Sequence, residues 1–432
     1  LKAYPGSLQA LEGHARVAVS GGTTKAGDDG TLSIINADKI LVMVDIRLLK
    51  DAGKSSVPAM KKTLATLPAD YGKLLDAHSG LHSELFSRMK LDLGGGADQA
   101  KSTEELIEDS SFDAINRALL EKQFDAGRYN IICATGQLPP NLQGVWGGTY
   151  VPGWASDYTH NGNVPSAIAA NLMGNMPELM LPYFDYIESL LPELELNARH
   201  FFGARGIVLP SRTSTHGYNN ALAPDFAGGM WVAGAAWAAH YFYDYYLYTG
   251  DRSFLAERAL PFMEKAALFF EDFLLEGPDG KYVFSPGTSP ENTPGNTDSQ
   301  ASFNATMDVA AATELLTNLI AASTELKRNK EKLPVWKRML EKMPDYSIEE
   351  NGIIKEWLTP KLKNNDAHRH SSQLYPLYDG LPEEIANSPE LRSAFLKSVE
   401  DKLERHWKNN ERGFMSFGIV QLGQVAASLG HG

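Results

Sequence analysis

The sequence predicts a mainly α-helical protein, its helices paired by loops into an α-toroid or solenoid, behind a short β-rich N-terminal segment. Three observations carry this. Beyond residue 100 apolar residues recur at helical spacing in one segment after another, with no strand-rich stretch of comparable length between them. Some of these segments are apolar on more than one face, as in Trp231-Val232-Ala233-Gly234-Ala235-Ala236-Trp237, and a helix apolar all round is buried between others. The first hundred residues instead carry short alternating or β-branched runs punctuated by Gly21-Gly22 and Asp28-Asp29-Gly30. No fixed period repeats, which argues against a regular array.

Taken in order, Ala15 to Val19, Thr31 to Ile35 and Lys39 to Asp45 read as strands, and Leu64 to Phe86 as a helix. Phe86 to Leu93 alternates and reads as one more strand, ended by Gly94-Gly95-Gly96. Three or four strands with open edges make a poor independent sheet. Residues 1–100 are therefore expected to be the C-terminal part of a larger β-rich domain with a helical linker, its earlier strands lying upstream. Residues 101–432 are expected to form one helical domain. Ser102-Thr103-Glu104-Glu105 is a helix start, and Ala114 to Tyr129 has helical spacing. Further helices are expected over Val164 to Leu172, Pro177 to Phe202, Met230 to Thr249, Phe254 to Leu275 and Met307 to Lys327. The last three are Pro334 to Lys342, Pro389 to Lys408 and Phe417 to Leu429.

Composition removes several functions. The 432 residues hold 40 basic and 53 acidic side chains, a net charge of -13. That argues against nucleic acid, whose phosphates need basic clusters, and against anionic membrane surfaces. No apolar run is long enough for a membrane span. The opening residues lack the basic-then-apolar order of a signal peptide, so a removed leader is one expectation. The single cysteine, Cys133, excludes an intrachain disulfide and a cysteine-based zinc site. Its neighbours Ile131, Ile132 and Ala134 predict a buried structural thiol.

The loops are long and rich in chemistry. Thr135 to Asn163 holds Trp146, Trp154, Tyr158, Thr159, His160, Asn161 and Asn163. Ser211 to Gly229 holds Arg212 and His216, and Asn364 to Asp379 holds Asp366, His368, Arg369 and His370. Loops of this length are functional or disordered, and so many aromatic residues fit disorder badly. Amide, Arg and His groups suit sugar hydroxyls, and Trp suits the apolar face of a sugar ring. Glu291 is a lone carboxyl in a Gly/Pro/Ser/Thr/Asn-rich loop, Ser285 to Gln300, between two apolar helices. It is a candidate general acid, or else a solvated turn residue. Asn161 and Asn163 either flank a Gly162 turn or, at spacing i and i+2 in an extended loop, point the same way and grip one water. An amide is a poor proton acceptor, so such a water needs a carboxylate behind it. His368 and His370 lack a third ligand at sensible spacing, so neither a metal nor any other cofactor is expected.

Short motifs follow one another along the chain: Gly127-Arg128-Tyr129, Leu138-Pro139-Pro140-Asn141-Leu142-Gln143-Gly144-Val145-Trp146 and Tyr158-Thr159-His160-Asn161-Gly162-Asn163. Tyr248-Thr249-Gly250-Asp251, Thr288-Ser289-Pro290-Glu291-Asn292 and Thr306-Met307-Asp308 come next, then Ile354-Lys355-Glu356-Trp357 and His368-Arg369-His370-Ser371. In this order they resemble glycoside hydrolase family 95, the inverting α-L-fucosidases and related α-L-galactosidases. The resemblance implies a β-sandwich-like N-terminal domain, a helical linker and an (α/α)6 barrel. It implies that Glu291 protonates the glycosidic oxygen, that Asn161 and Asn163 hold the attacking water, and that Arg369 and His370 bind the sugar. Trp154, Thr159, His160 and His216 are the further expected substrate contacts. The expected partner is an oligosaccharide or glycan, and the expected location is secreted or periplasmic.

The chain departs from the family pattern in three places. The Asp-Gly-Asn segment expected well after His-Arg-His, which would carry the base, is absent, and no Asp follows Asp401. The barrel is thus expected to be incomplete at its C-terminal end, with Asp366 and Asp157 as stand-ins by position. Val164-Pro165-Ser166-Ala167 replaces a Glu-Met-Asn-Tyr-Trp-like run, and Thr159 stands where some fucosidases have another residue. These leave an α-L-galactoside open. A phosphorylase on the same scaffold and a non-catalytic carbohydrate-binding homologue are the rival readings.

Overall fold

The computed structural model describes residues 2–3, 10–49, 53–111, 113–149, 151–223, 226–407 and 415–431. They fall into two compact units, Leu1–Arg88 and Met89–Gly432.

In the first unit β1 (Lys2–Ala3), β2 (Ala10–Ser20) and β5 (Lys39–Leu49) form an antiparallel sheet in the order β1-β2-β5. β2 and β5 pair over their whole length, from Ala10 opposite Leu49 to Ser20 opposite Lys39. β3 (Thr23–Ala26) and β4 (Leu32–Ile35) make a separate hairpin. Side chains alternate across the sheet. Met43 and Leu49 are buried, as are Met60 and Leu64 of helix α1 (Val57–Thr66). Ile40, Val42, Val44, Ile46 and Leu48, on the other face of β5, are exposed. Arg16 fastens α1 to the sheet by donating from Nη1 to the carbonyls of Leu64 and Leu67, each at 2.8 Å. The expected helix from Leu64 to Phe86 is in fact two. Pro68 disfavours helical backbone at Leu67, so α1 stops there and α2 runs over Tyr71–Phe86.

The strand expected over Phe86 to Leu93 does not form. Phe86 ends α2, and the amides of Leu93 and Gly95 donate to the Glu121 carboxylate, at 2.5 and 3.1 Å, instead of to a neighbouring strand. Alternation had no partner strand to pair with.

The second unit is helix packed on helix. α3 (Thr103–Glu108) opens with a complete capping box between Ser102 and Glu105, and α4 (Arg117–Ala134) follows. Cys133 on α4 is half-buried beside Tyr129 rather than enclosed. Next come α5 (Asn163–Ile168), α6 (Ala170–Met173), α7 (Leu181–Ser189) and α8 (Leu191–Phe202). The span expected as one helix from Pro177 to Phe202 is broken because Pro182 and Pro192 each start a new one. The remainder are α9 (Gly234–Thr249), α10 (Arg252–Phe254), α11 (Leu260–Phe273), α12 (Thr306–Leu326), α13 (Leu333–Glu341), α14 (Glu383–Ala386), α15 (Pro389–Trp407) and α16 (Ser416–Ser428). Lys408, expected at the end of α15, lies outside the described residues. Among the described residues no helix is long and apolar enough to cross a membrane.

α9, α11 and α12 form the centre of the core. Ala235, Ala236, Ala238 and Ala239 on α9 and Ala310 to Ala312 on α12 are buried small residues that let the backbones approach. Gly234 is required at the start of α9, since a Cβ there would lie 2.1 Å from the Leu209 carbonyl oxygen. Phe242 of α9 stacks on Phe262 of α11 at 4.4 Å between centroids, with Phe269 and Phe270 buried nearby. Replacing Phe270 by alanine should destabilise this unit by about 3–5 kcal/mol, the usual cost of emptying a close-packed aromatic site. A shift in the urea midpoint at unchanged slope would measure it.

Candidate active site

The loop between α11 and α12 delivers Glu291, and its conformation is fixed on both sides. Gly287 and Ser302 exchange backbone hydrogen bonds at 2.9 and 2.8 Å. Gln300 Nε2 donates to the Glu291 carbonyl at 2.9 Å, and the Ser372 hydroxyl donates to the Pro290 carbonyl. Ser289 and Asn292 are fully buried, while the Glu291 side chain remains partly exposed. Tethered neighbours hold the backbone, so the loop can present a side chain toward solvent without letting it wander.

Asn161 and Asn163 come from a different part of the chain. β6 (Tyr158–Thr159) pairs with β7 (Arg212–Thr213), and the His160 amide donates to the Ser211 carbonyl at 2.7 Å. The chain then turns, and Asn163 is the first residue of α5. The extended conformation expected for this pair is therefore corrected: one lies in a turn and the other opens a helix. Both nevertheless line the same hollow. Gly162 between them faces Phe417, and a Cβ at that position would come within 3.1 Å of its ring.

Thr159, Asn161, Asn163, Glu291, Arg369 and His370 form the polar part of the hollow; Leu142, Trp154, Pro290, Met415 and Phe417 form the apolar part. Glu291 accepts from Arg369 Nη2 at 2.9 Å through Oε2 and from Asn161 Nδ2 at 3.3 Å through Oε1. His370 Nε2 lies 3.9 Å from the same Oε2. Burial, with the charges of Arg369 and Lys402 adding to it, pulls His370 down to about 4, so it is neutral at neutral pH. Its ring stacks on Phe417 at 5.2 Å. Lys402 Nζ shapes the loop beneath by donating to the carbonyls of Asp366, His368 and His370, at 2.9, 2.7 and 3.2 Å. Trp154 is 72% exposed, and it, Ala155 and Ser156 have φ of 49°, 57° and 51°, a left-handed run uncommon for residues with side chains.

A second hollow adjoins the first. It shares Trp154, Thr159, Asn161 and Glu291 and adds Asp157, Ser211, Arg212 and Phe226. Its volume is 280 Å³, against 90 Å³ for the first. Asp157 accepts from the Thr159 hydroxyl at 2.7 Å, and burial raises its carboxyl above the usual range. Asp366 is half-buried near Lys402 and lines neither hollow.

Two expected substrate contacts lie elsewhere. His160 is 2% exposed, and its Nε2 shares a hydrogen bond of 2.8 Å with the Thr213 hydroxyl, so it is absent from both linings. His216 packs beside Tyr218 at 5.3 Å and is absent from them too. The loop pattern put a histidine near the site but could not say that its ring turns inward, under β6 and β7. Burial depresses His160 to about 3 from 6.5. The unfolded chain therefore binds a proton there that the folded protein refuses, between about pH 6.5 and about 3, and stability falls as the pH drops through that window. His160→Gln should flatten this part of the melting-temperature profile relative to wild type while leaving the profile above pH 7 unsloped by the change. An unchanged acid slope would sink that assignment.

Sequence reading missed Met415 and Phe417 of the apolar wall, which nothing in their local pattern marks, and quoted Leu142 only within a motif. It quoted Glu356 only as part of a motif. A charged residue inside Ile353-Ile354-Lys355-Glu356-Trp357-Leu358 is a signal for a buried carboxylate, and Glu356 is one.

A carboxyl, a guanidinium and two carboxamides gather in one hollow on a scaffold of paired helices, groups that can donate a proton and hold water or hydroxyls. Residues 70–419 match the glycosyl hydrolase family 95 catalytic domain, and the chain belongs to that family. It is 30% identical over 347 residues to "Alpha-L-fucosidase 2" of Arabidopsis thaliana, covering 78% of this chain and 40% of that one. It is 29% identical over 323 residues to "Probable alpha-fucosidase A" of Aspergillus niger, covering 72% of this chain and 40% of that one. The chain thus spans less than half the length of these curated relatives. The solved structure of a "Putative kojibiose phosphorylase from human microbiome" superposes with a TM-score of 0.58 at 12% identity, over 98% of this chain and 59% of that one. The helical fold is accordingly of the (α/α)6-barrel class.

Proposed function

We propose that the protein belongs to an inverting exo-glycosidase that hydrolyses a terminal α-L-fucoside, or the related α-L-galactoside, of an oligosaccharide. The observation that carries this is the meeting of Glu291, Asn161, Asn163 and Arg369, from three distant segments, around one hollow. Glu291 lies on the wall shared by the two hollows, where a bond between a sugar in one and its leaving group in the other would run. Glu291 protonates the departing oxygen as positive charge develops at the anomeric carbon. Asn161 and Asn163 hold the water that attacks from the opposite face, and Arg369, His370 and Trp154 seat the sugar. Asn161 Nδ2 donates to Glu291 Oε1 at 3.3 Å, so a sugar ring lying between the acid and the water has to divide that contact. Among the described residues Glu291 is the one carboxylate in the smaller hollow. The water therefore needs a proton acceptor outside that lining, and Asp157, in the adjoining hollow given to the leaving group, is on the wrong side for that role.

The family membership and the fucosidase names of two relatives support this choice of sugar. The test compares nitrophenyl α-L-fucoside with the α-L-galactoside, with and without phosphate, following the first-formed anomer by proton NMR. Release of β-L-fucose, indifferent to phosphate, is expected. Retention of the α-configuration overturns inversion, dependence on phosphate makes the protein a phosphorylase, and binding without turnover makes it a lectin-like relative.

A further inference from the structure

The chemistry just described makes no use of Glu356, yet this carboxylate is 1% exposed and lies directly beneath the loop that carries the acid. Its Oε1 accepts from the Ser289 hydroxyl at 2.8 Å, and its Oε2 accepts from Asn292 Nδ2 at 2.6 Å. Ser289 precedes Glu291 by two residues and Asn292 follows it by one, so a single side chain ties down both flanks of Glu291. Asn292 Nδ2 also donates to the Asn365 carbonyl at 3.1 Å, which links the acid loop to the segment leading to Arg369. Glu356 is itself anchored: its amide donates to Asn364 Oδ1 at 2.8 Å, and its carbonyl accepts from the Thr306 amide, at the start of α12, at 3.0 Å.

Burying a carboxylate is costly unless charge and hydrogen bonds compensate it. Burial pushes Glu356 up to about 7, and the opposing influences are the Lys402 charge and the bonds from Ser289 and Asn292. Lys402 is 2% exposed and holds the carbonyls of the loop bearing Arg369 and His370. Two buried groups of opposite charge, a carboxylate under the acid loop and an ammonium under the Arg369 loop, thus underlie the two polar walls of the hollow. Apolar residues of similar volume commonly stabilise a fold as well as or better than such a pair, so stability alone is a weak reason for it.

We propose that Glu356 is a positioning residue, its bonds to Ser289 and Asn292 fixing where Glu291 stands relative to Arg369 and Asn161. The kinetic part rests on the reading of Glu291 as the acid; the geometric part does not. Glu356→Gln keeps the shape and one acceptor, and the Ser289 hydroxyl can turn to accept from the new amide. Glu356→Ala removes both ties.

The experiment measures kcat and KM on an alkyl α-L-fucoside, whose leaving group needs the acid, and solves crystal structures of both variants. Glu356→Ala should lose about 100-fold in kcat, the scale of a displacement near 1 Å, with KM changed by less than about threefold; Glu356→Gln should recover all but about tenfold. In the crystals, Glu291 should leave Arg369 in the alanine variant and keep it in the glutamine variant. A folded alanine variant with wild-type kcat and an unmoved Glu291 overturns the proposal. If Glu356→Ala does not fold, Ser289→Ala cuts one tie alone and should still cost about tenfold in kcat; wild-type kcat with Glu291 in place overturns the proposal there too. Should wild type show no hydrolysis, the function proposed above fails, while the position of Glu291 in the variant crystals still decides this one.

Discussion

Replacing Glu291 by glutamine is expected to lower kcat on a fucoside with an alkyl leaving group by about three orders of magnitude, within the range that a positioned general acid supplies. Glutamine fills the same space and can still accept from Arg369, so the loss reports the missing proton rather than a collapsed loop. The leaving group gives the sharper reading. A sugar alkoxide cannot depart without a proton, whereas a nitrophenolate is stable enough to leave unassisted. The deficit should therefore shrink steeply from alkyl to nitrophenyl fucosides. An equal deficit on both would mean that Glu291 does something other than protonate the departing oxygen, and no deficit would remove it from the chemistry.

The second large effect is expected on the water side. Asn163→Ala should cost about 100-fold in kcat, the scale of losing the placement of one reactant. Asn163 is the cleaner probe of the two amides because Asn161 also donates to Glu291 at 3.3 Å. Alanine is a good residue for the first turn of α5, so the scaffold should survive the change. Holding the water matters equally for every leaving group, and the Asn163→Ala deficit should be flat across the alkyl and nitrophenyl series. Asn161→Ala should fall between, with a leaving-group dependence inherited from its contact with the acid. For the same reason the Asn161 and Glu291 deficits should not add, since residues in contact share their effects. A steep dependence for Asn163→Ala would place that amide beside the acid and undo the assignment of sides.

Much of the scaffold was legible because burial leaves a periodic trace. α11 buries one broad apolar face and α12 nearly all of its first two turns, and Phe254 to Leu275 and Met307 to Lys327 were readable as helix for that reason, the π-helical turn Leu255–Ala259 leading into α11. Where the expectation failed, the missing information was a neighbour. Phe86 to Leu93 alternates as a strand does, but a strand is a pairing, and Glu121 takes its amides instead. His160 and Asn161 are adjacent in one loop, yet one ring is enclosed against Thr213 while the next side chain meets Glu291. No local pattern distinguishes them, since which way each points depends on β7 and on Phe417, far away along the chain.

By itself, then, the sequence determined the helical class, the acidic charge balance, and the short motifs that carry the family resemblance, because each is a property of composition, period or local order. The tertiary structure alone decided that Glu291, Asn161, Asn163 and Arg369 share a hollow, that His160 and His216 do not, and that a buried Glu356 fastens the acid loop from below. Glu291 meets Asn161 and Arg369 across 130 and 78 positions, and Glu356 meets Ser289 and Asn292 across 67 and 64, contacts set by how helices pack and not by what any one segment prefers.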